Sequence, residues 1–228
     1  MENGIIAVYL AAGISERMGT NKLSLPFGCY TIGHSALKEA VRSSLDYIFV
    51  VTQEEDSLHW IHSELFQEPF NSKWKKISCR ESVLGQAYSL KCGLLAAMDQ
   101  KPKGIMVLLA DQPLLSVPTI DHLIHQHEKL LFENENLQYV AASFQGIPRP
   151  PIIFSPKAVP VLMTLTGDQG ARNFLQKKKL TGVLVNYENE RDFLDIDTPQ
   201  DYDAWKGAGK NNDQKGGDHA SVSSTLDP

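Results

Sequence analysis

The clearest indication of the fold is the stretch Gly4-Ile-Ile-Ala-Val-Tyr-Leu-Ala-Ala-Gly-Ile-Ser-Glu-Arg-Met-Gly-Thr-Asn-Lys22. It begins with a nearly continuous apolar run, which is typical of a strand that is covered on both faces in a parallel sheet. Small residues follow, and their size allows backbone N–H groups to approach an anion. Arg17 then supplies a forked donor for phosphate oxygens, and Lys22 supplies a movable point charge. The residues that we expect to contact a nucleoside triphosphate are Leu10, Ala11, Ala12, Gly13, Ser15, Arg17 and Lys22.

Two better-known phosphate loops do not fit this stretch. A P-loop has the pattern G-x-x-x-x-G-K-[ST], whereas five residues separate Gly13 from Gly19 and Thr20 follows where the lysine would stand. The dinucleotide pattern G-x-G-x-x-G is absent from the sequence. Taken alone, the stretch also fits a strand followed by an ordinary glycine-containing loop, so its phosphate role depends on the rest of the chain.

Strand and helix patterns alternate along the chain, which predicts a mostly parallel sheet wrapped by helices. Thr198 and Pro199 predict the N-cap and first position of one helix. From Lys206 onward polar residues and glycine replace apolar ones, so we expect one domain over 1–206 and a disordered tail over 207–228. We expect a proline-rich loop at 148–151, helices over 32–43, 56–66, 85–100, 117–132 and 168–178, and strands over 4–10, 47–52, 74–79, 104–110, 138–143 and 152–154.

The composition fits one well-cored domain. The 228 residues are 42% hydrophobic, and no apolar run approaches the length that spans a bilayer. The net charge of −5 argues against nonspecific nucleic-acid binding, which needs a basic surface. Cys29, Cys79 and Cys92 are odd in number and far apart, which argues against a disulfide framework and a closed zinc site. Since no basic n-region of a secretory signal is visible, we expect a soluble, cytoplasmic protein without a membrane partner.

Two acidic segments supply candidate metal ligands. Asp111 lies in Ala110-Asp-Gln-Pro113 directly after an apolar strand, and α/β folds bind ligands at the carboxyl ends of such strands. Carboxylate oxygens suit Mg²⁺ that bridges phosphates. Alone, this aspartate also fits a residue that ends a strand and caps the next segment. Asp195 and Asp197 alternate along an extended segment, and they also fit two solvated carboxylates before a capped helix.

The pattern L-A-A-G-x-S-x-R-M-G-x-x-K over 10–22 resembles the signature of the MobA-like nucleotidyltransferases, and more narrowly that of the molybdenum cofactor cytidylyltransferases. The resemblance implies a Rossmann-like three-layer α/β/α sandwich of the nucleotide-diphospho-sugar transferase type, with a mostly parallel sheet. It also implies transfer of a nucleoside monophosphate from an NTP to a phosphorylated acceptor with loss of pyrophosphate. Guanylyl-transferring relatives usually have two glycines after the first alanine, whereas this chain has Ala12 and Gly13, which favours CTP.

The same resemblance implies roles for the charged residues. The implied catalytic residues are Arg17, Lys22 and Asp111. The cationic side chains of Arg17 and Lys22 would contact the triphosphate. Asp111 and Asp197 would bind Mg²⁺, and Asp195 is the weaker candidate for the second ligand. Phosphoryl chemistry of this kind asks the protein mainly for positioning and charge neutralisation. No cysteine or serine lies in a nucleophile motif of the G-x-S-x-G kind, so we expect no covalent intermediate.

Two further segments resemble the family. Glu81-Ser-Val-Leu-Gly-Gln-Ala-Tyr-Ser-Leu90 resembles the segment close to the nucleobase, which implies that Gly85 and Ser89 lie near the ring, although it fits the entry of an ordinary helix equally well. The segment at 167–172 and the stretch at 146–154 resemble the acceptor side. A helix start there would offer free N–H groups to a phosphate. The implied acceptor-binding residues are Gly167, Asp168, Gly170 and Arg172.

The biological setting is implied by resemblance to purine catabolism accessory proteins of this family. It implies CTP and a molybdopterin-type cofactor as substrates, and a transient contact with a xanthine dehydrogenase-type apoenzyme. Two alternatives stay open. A sugar-phosphate nucleotidyltransferase or a guanylyltransferase would share the phosphate loop and the aspartates. A non-catalytic carrier would bind and deliver the finished cofactor without consuming CTP.

Overall fold

The strands of the protein form one large sheet and a small hairpin. The computed structural model describes residues 3–171, 175 and 180–208. The strands are β1 (Asn3–Leu10), β2 (Pro26–Phe27), β3 (Tyr30–Thr31), β4 (Tyr47–Thr52), β5 (Trp74–Ser78), β6 (Pro102–Leu109), β7 (Tyr139–Phe144), β8 (Ile147–Phe154) and β9 (Gly182–Tyr187). β2 and β3 pair with each other, and the other strands form one sheet in the order β5-β4-β1-β6-β8-β7-β9.

β1 is a buried central strand, as the sequence predicts. It pairs in parallel with β4 and β6, so that Val8 lies opposite Phe49 on one side and Val107 on the other. Val8 and the neighbouring Tyr9 are both fully buried, and they belong to the apolar cores on opposite faces of the sheet. Burial on both faces is the reason that the apolar run is continuous rather than alternating.

Helices cover both faces of the sheet, which confirms the predicted three-layer sandwich. The helices whose residues are all described are α1 (Ile32–Arg42), α2 (Gln86–Met98), α3 (Val117–Glu133), α4 (Val159–Leu162) and α5 (Pro199–Trp205). Buried residues of α1 and α3 belong to one core, and those of α2 and α4 belong to the other. α5 begins as predicted, because the Thr198 side chain accepts from the N–H of Asp201 and Pro199 occupies the first turn.

The proline-rich segment is a strand, so the predicted loop at 148–151 is wrong. β8 contains it and pairs antiparallel with both β6 and β7. The register with β7 shifts there, since Ala141 pairs with Ile152 while Ala142 pairs with Arg149. Pro150 and Pro151 therefore lie at a bulge, where no ladder N–H group is needed. β9 was not predicted, and it pairs in parallel with β7.

The helix predicted over 56–66 is also wrong, since only the short 3-10 helix Ser63–Phe66 is present. The Asp56 side chain accepts hydrogen bonds from the backbone N–H of Leu58 at 2.7 Å and from the indole of Trp60. Leu58 has a positive φ of 61°. Such local side-chain bonds offer the backbone an alternative to the helix.

Cys79 and Cys92 form a disulfide, which corrects the prediction from their spacing. Cys79 follows β5 and Cys92 lies on α2, and the packing of these two elements brings the Cα atoms to 6.1 Å. The distance between Cys79 and Cys92 along the chain carries no information about this packing. Cys29 is exposed and unpaired among the described residues.

Two predictions fall on parts of the chain outside the described residues. Of the helix expected over 168–178, residues 172–174 and 176–179 are not described, and neither are residues 209–228 of the expected tail. Among the described residues, none of the helices has the length and apolar character needed to cross a membrane.

Candidate active site

The candidate site is a cavity of about 410 Å³ at the carboxyl ends of β1 and β6. The two strands stay paired where they end, because the N–H of Ala110 donates to the carbonyl of Leu10 at 3.1 Å. Every residue predicted for the phosphate loop lines the cavity, from Leu10 to Lys22. The loop is folded back on itself, since the N–H of Lys22 donates to Ser15 Oγ at 3.2 Å. The structure thus places the predicted loop at the ligand-binding edge of the sheet.

The ammonium group of Lys22 joins the two predicted metal ligands. Its Nζ donates to Asp111 Oδ2 at 2.7 Å and to Asp197 Oδ1 at 2.8 Å. Burial acts to lower the pKa of Lys22, but the two carboxylates outweigh it, and the pKa is raised above its ordinary value. Lys22 is therefore charged at neutral pH, and it occupies a place between two carboxylates where a metal ion would also be favoured.

Arg17 lies at the outer side of this group. Its guanidinium is 3.4 Å from Asp197 Oδ2, and its side chain is 71% exposed. An exposed ion pair of this kind is weak, so little holds the guanidinium in place. Arg17 can therefore turn to an incoming phosphate at small cost.

Gln112 ties the two acidic segments together, and sequence reasoning missed it. Its side chain is fully buried, and Nε2 donates to Asp195 Oδ1 at 2.9 Å and to the carbonyl of Phe193 at 3.4 Å. The N–H of Ile196 also donates to the carbonyl of Asp111 at 2.9 Å. In the sequence, the one indication of a role for Gln112 was its position next to Asp111. These bonds fix the segment of Asp195 against the end of β6.

Asp195 and Asp197 have different surroundings. Asp197 lines the cavity, whereas Asp195 is held by Gln112. Burial, and after it the nearby charge of Asp111, raises the pKa of Asp195 to about 6. The preference for Asp197 over Asp195 as a metal ligand agrees with this geometry and stays a prediction.

The segment predicted at the nucleobase forms another wall of the cavity. Gly85 has a φ of 119°, and a Cβ there would lie 2.3 Å from the carbonyl carbon of Gly167. Ser89 lines the cavity and is buried. Ser82, which was not predicted, also lines the cavity, and its buried Oγ has no partner among the described residues. The hydroxyl group of Ser82 is therefore available to a ligand in the cavity.

The predicted acceptor segment contacts the nucleobase segment directly. The N–H of Ala87 donates to the carbonyl of Gly167 at 3.0 Å, and a Cβ on Gly170 would overlap the Gln86 side chain. Asp168 lines the cavity, whereas Gly167 and Gly170 only support its wall. Arg172 lies outside the described residues.

The acidic residues fit a divalent cation. Asp111 Oδ1 is buried and has no hydrogen-bond partner among the described residues. A buried carboxylate oxygen without a partner is costly, and a cation would satisfy it. With Asp197 nearby, the site offers hard oxygen ligands of the kind that Mg²⁺ and Mn²⁺ prefer.

The chain is similar in sequence to two known proteins. The chain is 38% identical to purine catabolism protein PucB of Bacillus subtilis over 201 residues, which are 87% of this chain and 94% of that protein. It is 28% identical over 205 residues to nicotine blue oxidoreductase of Paenarthrobacter nicotinovorans, covering 85% of this chain and 92% of that protein.

Solved structures share the fold. Rv0371c of Mycobacterium tuberculosis superposes with a TM-score of 0.69 at 22% identity, over 90% of this chain and 99% of that one. Its manganese complex superposes with a TM-score of 0.62 at 18% identity, over 91% of this chain and 100% of that one. The sequence model of the MobA-like NTP transferase domain matches residues 7–182. The chain therefore belongs to the MobA-like NTP transferase family and has the nucleotidyltransferase fold.

Proposed function

We propose that this protein is a cytoplasmic CTP:molybdenum cofactor cytidylyltransferase. It would transfer CMP to the phosphate of a molybdopterin-type cofactor and release pyrophosphate, and so serve the maturation of a molybdenum hydroxylase such as xanthine dehydrogenase. The observation that carries the proposal is Lys22 between Asp111 and Asp197, beside the loop at Ala12 in one cavity. The relationship to a purine catabolism protein supports the metabolic setting.

The reaction is a direct displacement at the α-phosphorus of CTP. An oxygen of the acceptor phosphate forms the new P–O bond, and the bond between the α-phosphorus and its bridging oxygen breaks to release pyrophosphate. Because a phosphate monoester is largely ionised at neutral pH, no general base is needed. Mg²⁺ bound by Asp111 and Asp197 would supply positive charge to the phosphate oxygens.

Lys22 and Arg17 would hold the triphosphate. The Lys22 ammonium donates to two carboxylates, and phosphate oxygens would compete for the same donor. The exposed Arg17 would add a forked donor to the departing pyrophosphate. Charge placed where negative charge develops is the main source of catalysis in such reactions.

The test is pyrophosphate release from each NTP with Mg²⁺ and purified molybdopterin-type acceptor. We expect turnover with CTP, and its loss in Lys22→Ala and Asp111→Ala proteins that keep their fold by circular dichroism. Asp203→Ala, which changes an exposed aspartate outside the cavity, is the matched control and should retain full turnover. A well-folded Asp111→Ala protein that still turns over would overturn the metal assignment.

The choice of nucleotide depends on Ala12, which is buried in the wall of the cavity. Its methyl group occupies space that a glycine would leave to a larger base, so Ala12→Gly should shift the ratio of kcat/KM from CTP toward GTP. An unchanged ratio would remove the argument for CTP, although the phosphate role of the loop would survive. Turnover with sugar phosphates instead, or pterin binding without CTP consumption, would favour the two alternative functions.

A further inference from the structure

The disulfide between Cys79 and Cys92 encloses one wall of the candidate cavity. Cys79 follows β5 and Cys92 lies on α2. The first cavity-lining residue between them comes three positions after Cys79, and the last comes three positions before Cys92. The bond therefore closes a covalent loop around the whole of this wall, which we call the 82–89 wall. Its cavity-lining residues are Ser82, Val83, Leu84, Gly85, Gln86 and Ser89.

The front of the 82–89 wall has little packing of its own. The side chains of Val83 and Leu84 are 65% and 57% exposed, so burial of apolar surface contributes little to their position. The N–H of Ser82 donates to the carbonyl of Cys79 at 3.3 Å, and the N–H of Gly85 donates to the carbonyl of Ser82 at 3.1 Å. These bonds hold the turn together locally, and segments held mainly by exposed local bonds open at low free energy.

The disulfide fixes the two ends between which this front is suspended. The N–H of Cys79 donates to the carbonyl of Thr52 at 2.9 Å, which attaches Cys79 to the end of β4. Cys92 belongs to α2, whose first turns also carry Gln86 and Ser89 of the wall. A covalent bond between the end of the sheet and α2 therefore sets the distance that the wall must span. Without that bond, the wall has more conformations available to it.

The bond can be opened and closed by thiol–disulfide exchange. Cys92 is half-buried, whereas Cys79 is 1% exposed, so a reductant reaches Cys92 first. A thiolate of an external dithiol would attack Cys92 Sγ, the S–S bond would break, and Cys79 would leave as a thiolate and take up a proton. The second thiol of the reductant would then displace Cys92. The pair gains two thiols, and the dithiol ends as a disulfide.

The reduced pair fits the same surroundings. Cys79 Sγ lies 3.6 Å from the carbonyl oxygen of Tyr88, so a thiol released there would have an acceptor. In the cytoplasm, where we propose that the protein acts, disulfides are usually transient and respond to the redox state. A pair that bounds a ligand cavity can therefore report that state to the cavity.

We propose that Cys79 and Cys92 form a redox switch for nucleotide binding. The disulfide keeps the 82–89 wall in the form that receives the nucleobase, and reduction by a dithiol releases the wall and weakens binding. The inference rests on the proposed function for the identity of the nucleotide. If the released wall occupies the binding form about a tenth of the time, the Kd rises about tenfold.

The test is isothermal titration of the full chain with CTP and Mg²⁺, after equilibration with either oxidised or reduced dithiothreitol. We expect CTP to bind about tenfold more weakly to the reduced protein. The matched ligand is inorganic triphosphate, which lacks a base and would contact the loop and Lys22 only. Its affinity should be the same in both redox states, because the disulfide does not bound the triphosphate loop.

Two variants separate this disulfide from other effects of the reductant. Cys92→Ala should bind CTP as weakly as the reduced protein does, with or without dithiothreitol. Cys29→Ser, which removes the exposed cysteine, should respond to dithiothreitol like the unchanged protein. Should Cys92→Ala fail to fold, the reduced unchanged protein still carries the comparison.

Equal CTP affinity in the two redox states would overturn the inference. An equal loss of triphosphate binding on reduction would also overturn it, because the effect would then be a general loss of structure. If CTP binds neither form, the proposed function fails, and hydrogen exchange at the amides of Ser82 and Gly85 decides the inference separately. Faster exchange after reduction would support disulfide control of the wall, and unchanged exchange would exclude it.

Discussion

Removal of the Lys22 ammonium should destabilise the metal-free protein. Lys22→Met keeps most of the side-chain volume but deletes two charge-assisted hydrogen bonds of 2.7 Å and 2.8 Å. Each such bond contributes about 1.5–3 kcal/mol when it is shielded from water. The Lys22 side chain is only 12% exposed, but that of Asp197 is 37% exposed. The hydrogen bond between Lys22 and Asp197 therefore contributes less to the free energy of unfolding than the bond to Asp111. We expect the free energy of unfolding to fall by about 2–4 kcal/mol.

The assay is urea unfolding in EDTA, followed by the same measurement in Mg²⁺. The variant should show a lower midpoint with an unchanged slope in EDTA. Addition of Mg²⁺ should raise the midpoint of the variant more than that of the unchanged protein. A cation that binds only the folded state stabilises that state by mass action. The matched control is Lys206→Met, whose ammonium pairs with Asp203 on the exposed surface and should leave both midpoints unchanged.

Two results would refute this reasoning. If Lys22→Met is as stable as the unchanged protein in EDTA, the ammonium does not hold the carboxylates together. If Mg²⁺ raises the unfolding midpoint of both proteins by the same amount, the carboxylates freed from Lys22 do not bind the cation. That result would also refute the proposed metal site.

Three further predictions concern groups away from Lys22. Ser82→Ala and Ser155→Ala each remove a buried hydroxyl that has no hydrogen-bond partner among the described residues, so neither should lower the Tm of the free protein. Only Ser82→Ala, at the cavity, should reduce the rise in Tm that CTP produces. An equal rise in both variants would contradict a ligand role for Ser82. Cys92→Ala removes the disulfide, whose two cysteines are 13 residues apart, and should lower the free energy of unfolding in urea by about 3 kcal/mol. Cys29→Ser, which changes the exposed cysteine, should cause no measurable loss. Burial lowers the pKa of His127 to about 4, so between about pH 6.5 and pH 4 the unfolded state binds a proton that the folded state does not. Stability should therefore fall with falling pH by up to about 1.4 kcal/mol per pH unit, and an undiminished slope in His127→Leu would exclude this histidine as a cause.

Local patterns were sufficient where the physics is local. The continuous apolar run of β1 identified a strand covered on both faces, because each residue of such a strand meets the same environment. The start of α5 at Thr198 and Pro199 followed from capping chemistry within one turn. Local patterns failed at 56–66, where the bonds of one carboxylate, Asp56, outweighed helical periodicity.

The sequence alone therefore established a mostly parallel α/β sheet, a small-residue loop after its central strand, and the charged residues available for phosphate chemistry. Only the three-dimensional arrangement established which of these charged residues contact one another. Lys22 contacts two carboxylates that lie 89 and 175 positions away along the chain. Strand order and register arise from packing among distant segments, and separation along the chain carries no information about that packing.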